Sequence, residues 1–193
     1  MESLVLTFPP EAQLSDDEFF EFCAANDPLR IERNHKGQIV IMSPSGSKTG
    51  NTHFKIYSAL AYWYDQNEAL GYIFDSSAGF KLPDHSVLAP DAAFIAKERW
   101  EGLTEEEQRK FAPLTPDFII EVRSESDSMP QLMSKMEDWI RNGCRLAWLI
   151  DPIDKRAHVY KPGQSTLVIN DFSANLSGED VLRGFVLKLS KLL

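Results

Sequence analysis

Asp91, Glu121 and Lys135 are the residues of this chain whose types and spacing could do chemistry together. Asp91 follows Pro90 at the entrance to a short apolar run, 92–95. Glu121 stands among Phe118, Ile119, Ile120 and Val122, where an unpaired carboxylate facing a core would be costly. Alternation along a strand puts Glu121 on the face of Ile119, so one side of that strand must turn polar towards its end. Two carboxylates converging at strand ends make a hard oxygen site of the kind that suits Mg2+ or Mn2+. Such an ion activates water and neutralises charge building on a phosphate. Lys135 lies four residues before Trp139 on a helical stretch that leaves the polar loop 124–130. The first turns of that helix return towards the strand end, where an ammonium could orient water or stabilise a pentacovalent transition state. Singly, an Asp after Pro is an ordinary turn residue and a lysine is ordinarily solvated. Their convergence with a carboxylate inside an apolar strand is what points to a site.

The elements that must position these groups read as follows. Ser15-Asp16-Asp17-Glu18 forms a capping box and predicts a helix to about Ala25. Apolar runs at 29–32 and 38–42, separated by Asn34-His35-Lys36-Gly37, predict a hairpin. Ile56, Tyr57, Leu60, Ala61 and Tyr64 recur at offsets of three and four, predicting a helix over 52–67. Strands are expected at 72–75, 79–82 and 92–95, and the acidic stretch 104–108 opens a short exposed helix. A strong strand at 117–122, a helix at 131–142 stopped by Gly143, and a strand at 145–150 follow. Strand–helix–strand order there implies a mixed α/β sheet with at least one parallel pair. Segments 156–160 and 166–169 predict an edge hairpin, and 184–189 a last strand.

Composition restricts the partners. A chain of 193 residues with 43% hydrophobic and 25% charged residues is large enough for one well-buried core and ordinary for a soluble domain. Residues 1–10 lack the basic flank of a secretory signal, and no apolar run approaches the length that spans a bilayer. A soluble, cytoplasmic protein is expected. Cys23 and Cys144 lie far apart without zinc-ligand spacing, as two apolar thiols would. A net charge of −9 argues against a general nucleic-acid coat protein, since DNA affinity comes largely from Lys and Arg. It is compatible with a nuclease whose acidity includes a metal site.

Pro90-Asp91, the stretch Pro116-Asp117-Phe118-Ile119-Ile120-Glu121-Val122-Arg123-Ser124, Lys135-Met136-Glu137-Asp138-Trp139, and the run from Gly143 to Pro152 resemble the Uma2 family. This family, formerly of unknown function and common in cyanobacteria, is placed in the PD-(D/E)XK nuclease superfamily. The resemblance covers roughly 15–162 and implies a restriction-endonuclease-like core: a mixed sheet flanked by helices, with an N-terminal helix and hairpin. The whole chain then reads as one domain, with 163–193 as a C-terminal extension. Position by position, Asp91 and Glu121 resemble the metal-binding carboxylates, and Lys135 the lysine, which sits on the following helix. Glu32 matches an N-terminal acidic position that completes the site, and His53 a polar position facing the same cleft. Arg123 stands where the usual E-x-K pattern has lysine; its guanidinium could substitute electrostatically for that lysine in the cleft, but being permanently protonated it cannot easily act as a base. The loop Arg123-Ser124-Glu125-Ser126-Asp127 departs from the family's usual Leu followed by Ser-Pro-Ser-Asp.

The resemblance implies a Mg2+- or Mn2+-dependent endodeoxyribonuclease in which Asp91, Glu121 and the Val122 carbonyl hold metal. Two alternatives stand beside it: a non-catalytic binding or scaffold module on the same fold, and a nuclease acting on RNA or another phosphodiester. Trp139, Trp148 and Tyr160 fall on the apolar periods of their elements, as core residues rather than base-stacking platforms. An apolar face left over on the edge hairpin, 156–160 with 167–169, suggests a homodimer.

Overall fold

A computed structural model describes residues 3–193. The chain begins with β1 (Leu4–Leu6), α1 (Asp16–Ala25) and the hairpin of β2 (Arg30–Arg33) and β3 (Ile39–Met42). Then come α2 (Ser47–Tyr64), β4 (Gly71–Asp75), the short strands β5 (Phe80–Lys81) and β6 (Val87–Leu88), and β7 (Ala92–Ala96). Two brief helices, α3 (Lys97–Glu101) and α4 (Glu105–Arg109), precede β8 (Phe118–Val122), α5 (Met129–Arg141) and β9 (Leu146–Asp151). The order closes with β10 (Arg156–Tyr160), β11 (Leu167–Ile169), β12 (Asn175–Ser177) and β13 (Val186–Lys188).

The central sheet has the order β11-β10-β9-β8-β7-β4. Its parallel pair is β8 and β9, in register from Phe118↔Leu146 to Val122↔Ile150, with α5 as the crossover. The other neighbours in this sheet are antiparallel. The expected mixed α/β architecture is therefore present. The N-terminal hairpin belongs to a second, five-stranded sheet of order β1-β3-β2-β6-β5. β12 and β13 form a separate pair.

Local chemistry explains most boundaries. The Ser15 hydroxyl accepts from the Glu18 amide at 3.3 Å while the Glu18 carboxylate accepts from the Ser15 amide at 2.8 Å, closing the box that starts α1. Thr104 and Glu107 repeat the device at α4. Gly143, at φ 104°, ends α5 in the left-handed region that glycine tolerates. α2 starts five residues before the expected 52, because its buried stripe begins with Thr49 and Thr52 before Ile56, Leu60 and Trp63. Two threonines at core positions hide that turn from a hydrophobic pattern. The strands β1, β6 and β12 and the helix α3 are not anticipated by the sequence reading. β6 is two residues long and meets β2 at one pair, Arg33↔Val87, so it has no period to display.

The central sheet is covered on both faces. On one, Phe118, Ile120 and Trp148 pack against Ile56, Leu60 and Trp63 of α2. On the other, Ile119, Ala147 and Leu149 pack against Met136 and Trp139 of α5. Trp139, Trp148 and Tyr160 are all buried in these layers, as expected of core residues. Both cysteines are free thiols, and burial pushes Cys23 up to about 11 and Cys144 to about 12. Among the described residues no helix is long and apolar enough to cross a membrane. The edge strand β11 leaves Leu167 and Val168 exposed.

Residues 163–193, read from sequence as an extension, contribute Phe172, Leu176, Leu182, Phe185, Leu187, Leu189 and Leu192 to the larger core layer. The Phe185 ring stacks on Trp148 at 5.7 Å and 17°. The Trp63 indole N–H donates to the Arg183 carbonyl at 2.9 Å. Phe185→Ala is expected to lower stability by about 3–5 kcal/mol in a urea titration, the usual cost of a large-to-small aromatic change in a core. A loss under about 1 kcal/mol would show that this segment is a dispensable tail, since surface substitutions fall in that range.

Candidate active site

The segment 87–91 passes from one sheet to the other. Val87 pairs with Arg33 in the N-terminal sheet, and five residues later Ala92 pairs with Ile120 in the central sheet. Continuing the β7–β8 register by one residue sets Asp91 opposite Glu121. Asp91 Oδ2 accepts the Val122 N–H at 2.8 Å, which fixes the carboxylate against the end of β8. Midway along the segment, the Ala89 N–H donates to Glu32 Oε1 at 2.9 Å. The Ala89 carbonyl accepts from Lys135 Nζ at 3.0 Å.

Lys135 is the centre of the cluster. Its Nζ lies 2.7 Å from Glu121 Oε1 and 2.8 Å from Glu32 Oε1. One turn further along α5, the Trp139 indole N–H donates to the same Glu121 oxygen at 3.1 Å. Glu32 and Glu121 are almost wholly buried, at 6% and 5% side-chain exposure, and Lys135 is at 15%. Burial pushes the Glu121 carboxyl up to about 8; Lys135 opposes the rise, and Asp91 and Glu32 add to it. For Lys135 burial acts downwards, but Glu121 and Glu32 outweigh it and hold the ammonium well above the usual lysine value.

Each of the three carboxylates is held through one oxygen. Protein donors engage Glu32 Oε1, Glu121 Oε1 and Asp91 Oδ2, while the second oxygen of each accepts no hydrogen bond from the described residues. Among the described residues no three His, Cys, Asp or Glu side chains stand together as a ready ligand set. Glu32 and Glu121 instead meet at Lys135, while Asp91 is engaged by the Val122 N–H, His53 and Arg30. Three carboxylates beside one buried ammonium leave an excess of negative charge, and their oxygens are hard donors of the class that divalent cations take.

The cluster opens into a cleft of about 350 Å³. The N-terminal sheet forms one wall, through residues such as Arg30, Gln38 and Met42, and α5 forms the other, through Gln131 and Ser134. His53, on the second turn of α2, brings Nε2 to 3.5 Å from Asp91 Oδ2. Asp91, Glu121, Lys135, Glu32, Val122 and His53 are thus brought together. Arg123 is not: its guanidinium pairs with Asp151, the last residue of β9, at 2.7 Å and with Asp154 beyond it at 3.0 Å, and it does not line the cleft. Its side chain is drawn away because those two carboxylates compete with the cluster for it.

Three participants escaped the sequence reading. The Trp139 indole N–H, the two peptide groups of Ala89, and Arg30 all contact the cluster; Arg30 Nη2 lies 3.5 Å from Asp91 Oδ1. Arg30 and Glu32 are two apart on one strand and so share a face, the one signal that could have identified the arginine. The roles of Ala89 and Trp139 depend on contacts across long sequence separations and leave no local pattern.

Residues 16–190 match the family model described as "Uma2: Putative restriction endonuclease". No curated protein matches the chain. Its fold is similar to that of a crystal structure described as "a putative nuclease belonging to DUF820", from Anabaena variabilis ATCC 29413. The two agree with a TM-score of 0.74 and 20% identity over 93% of this chain and 97% of that one. At that identity the likeness establishes the shared fold.

The raised Glu121 carboxyl has a consequence for stability. A folded-state value of about 8 against an ordinary 4.5 means that the folded protein holds a proton the unfolded chain has released. The contribution is complete below about 4.5 and is lost as pH rises through about 8, so in EDTA the urea midpoint should fall across this window. Glu121→Gln should flatten that fall, because the neutral amide cannot titrate. An equal slope in wild type and variant would assign the pH dependence elsewhere.

Proposed function

Since this chain belongs to the Uma2 family of restriction-endonuclease-like proteins, we propose that it is a Mg2+- or Mn2+-dependent endonuclease that hydrolyses DNA phosphodiester bonds at the Asp91–Glu121–Glu32 cluster. The observation that carries this reading is the arrangement of carboxylates that line one cleft, each with one oxygen fixed by a protein donor and the other accepting no hydrogen bond from the described residues. A divalent ion bound there would polarise a phosphate oxygen and lower the pKa of a water molecule.

Asp91 and Glu121 offer the principal oxygens, Val122 adds its carbonyl, and Glu32 either completes the set or tunes its charge. Val122 also holds Asp91 in place through its N–H. Lys135 keeps Glu32 and Glu121 at a fixed separation despite their like charge. His53 faces the inner oxygen of Asp91 and limits its rotation. The reaction consumes one water and leaves a phosphate monoester on one side of the cut and a hydroxyl on the other. Arg123, paired with Asp151 and Asp154, has no part in it.

Incubation with supercoiled plasmid or single-stranded DNA in Mg2+, Mn2+ or EDTA tests the proposal. Wild type should nick the plasmid only with metal, and Asp91→Ala and Glu121→Ala should each reduce the rate by at least about 10²-fold, the scale of losing one electrostatic stabiliser. Millimolar Mn2+ should raise the melting temperature of wild type and not of Asp91→Ala. Cleavage that persists equally in Glu121→Ala would point to a contaminant, and a protein inert in every metal would be a binding module on a nuclease fold.

A further inference from the structure

Lys135 has no donor left for a substrate. An ammonium carries three N–H groups, and three acceptors surround this one: Glu121 Oε1 at 2.7 Å, Glu32 Oε1 at 2.8 Å and the Ala89 carbonyl at 3.0 Å. To contact a phosphate it would have to abandon a buried carboxylate, a step that typically costs several kcal/mol. A reaction that builds charge on a phosphate beside three carboxylates nevertheless needs a cation facing that phosphate.

Arg30 occupies the required position. Alternation along β2 sets it on the face of Glu32, towards the cleft that both residues line. Its Nη2 is 3.5 Å from Asp91 Oδ1, the oxygen of Asp91 that Val122 does not engage. At 36% exposure, and with no hydrogen bond to the described residues beyond that loose pair, the guanidinium keeps its planar set of donors free. Such a fork matches two phosphate oxygens at once. The other cations are placed differently. Arg123 is tied to Asp151 and Asp154, and Lys36 lines the cleft from the exposed hairpin turn beyond the opposite end of β2. His53 faces Asp91 Oδ2 rather than the outer oxygen.

We propose that Arg30 is a catalytic residue that contacts the scissile phosphate, while Lys135 acts on the carboxylates alone. The inference rests on the nuclease reading and deepens it: the substrate is held as a phosphodiester anion between the carboxylate cluster and one guanidinium of the N-terminal sheet. Removing the guanidinium removes one phosphate contact and one positive charge beside Asp91. It therefore weakens DNA and leaves a divalent cation bound as tightly or more so.

Three measurements on wild type, Arg30→Gln and Arg30→Lys test this, with Arg109→Ala on the exposed α4 as a control. Anisotropy of a short fluorescein-labelled DNA duplex in Ca2+, over a series of NaCl concentrations, gives affinity and salt slope. Single-turnover cleavage in Mn2+ gives the chemical rate, and calorimetric titration with Mn2+ gives metal affinity. Arg30→Gln should lower the salt slope by about one, as loss of a phosphate contact does. It should also slow cleavage by about 10²-fold, with Arg30→Lys intermediate. Mn2+ affinity should be equal to or higher than that of wild type. A variant equal to wild type in slope and rate overturns the assignment while the nuclease reading stands. Weakened Mn2+ binding in Arg30→Gln also overturns it, because the arginine would then support the metal cluster. If wild type binds DNA without cutting it and Arg30→Gln still loses the slope, the phosphate contact stands and the nuclease reading falls. If wild type neither binds nor cuts, both fail.

Discussion

A buried ammonium shared by two carboxylates holds the separately formed parts of this molecule in register. Lys135 comes from the crossover helix, Glu121 from the central sheet, and Glu32 from the N-terminal hairpin. Taking a buried ammonium and the groups that pair with it out of water is costly, and attraction offsets that cost only when the protons and lone pairs find partners. Here the three N–H groups of Lys135 are matched by two carboxylate oxygens and the Ala89 carbonyl. The N-terminal sheet cannot move away from α5 without stranding a charge. The width of the cleft is set by the same contacts that set the spacing of the carboxylates.

The parallel pair of β8 and β9 makes this possible. Parallel neighbours need a long crossover, and a helix supplies it while covering the face of the sheet that Ile119 and Leu149 present. α5 therefore has two duties along one face. Met136 and Trp139 bury themselves against the sheet, and Lys135 reaches past the apolar layer to Glu121. Trp139 serves both, since its ring packs in the core while its N–H reaches the carboxylate. On the other side of β8, antiparallel pairing with β7 brings Asp91 opposite Glu121 without any side-chain contact being needed to align them.

The acidity of the chain and the proposed nucleic-acid substrate are reconciled by location. A net charge of −9 repels DNA at long range, so attraction has to be local. Arg30 and Lys36 lie on the N-terminal sheet and its hairpin turn, along one wall of the cleft. The acidic run Glu105, Glu106 and Glu107 lies on the exposed helix α4, outside the residues that line it. Close to the site, the surplus negative charge belongs to the cluster itself, where a divalent cation would neutralise it.

Much of this was written in the linear chain. A capping box at Ser15, the apolar run at 117–122, the helical stretch 131–142 and Gly143 beyond it each act within a few residues, so their geometry follows from the order of side chains. The same local logic marked Glu121 as an ionisable group that needed a partner, and residue types and spacing sufficed to single out Asp91 and Lys135. What only the tertiary structure decided was who partners whom. Arg123 and Lys135 are both cations near Glu121 in sequence, yet Arg123 is captured by Asp151 and Asp154 and only Lys135 reaches the carboxylates. β6 exists because Val87 and Leu88 meet Lys81 and Phe80 on one side and Val87 meets Arg33 on the other, and the 163–193 segment joins the core because Phe185 finds Trp148. Short-range propensity cannot encode such pairs, because each depends on two distant segments arriving together, and that arrival is governed by burial and charge matching over the whole fold.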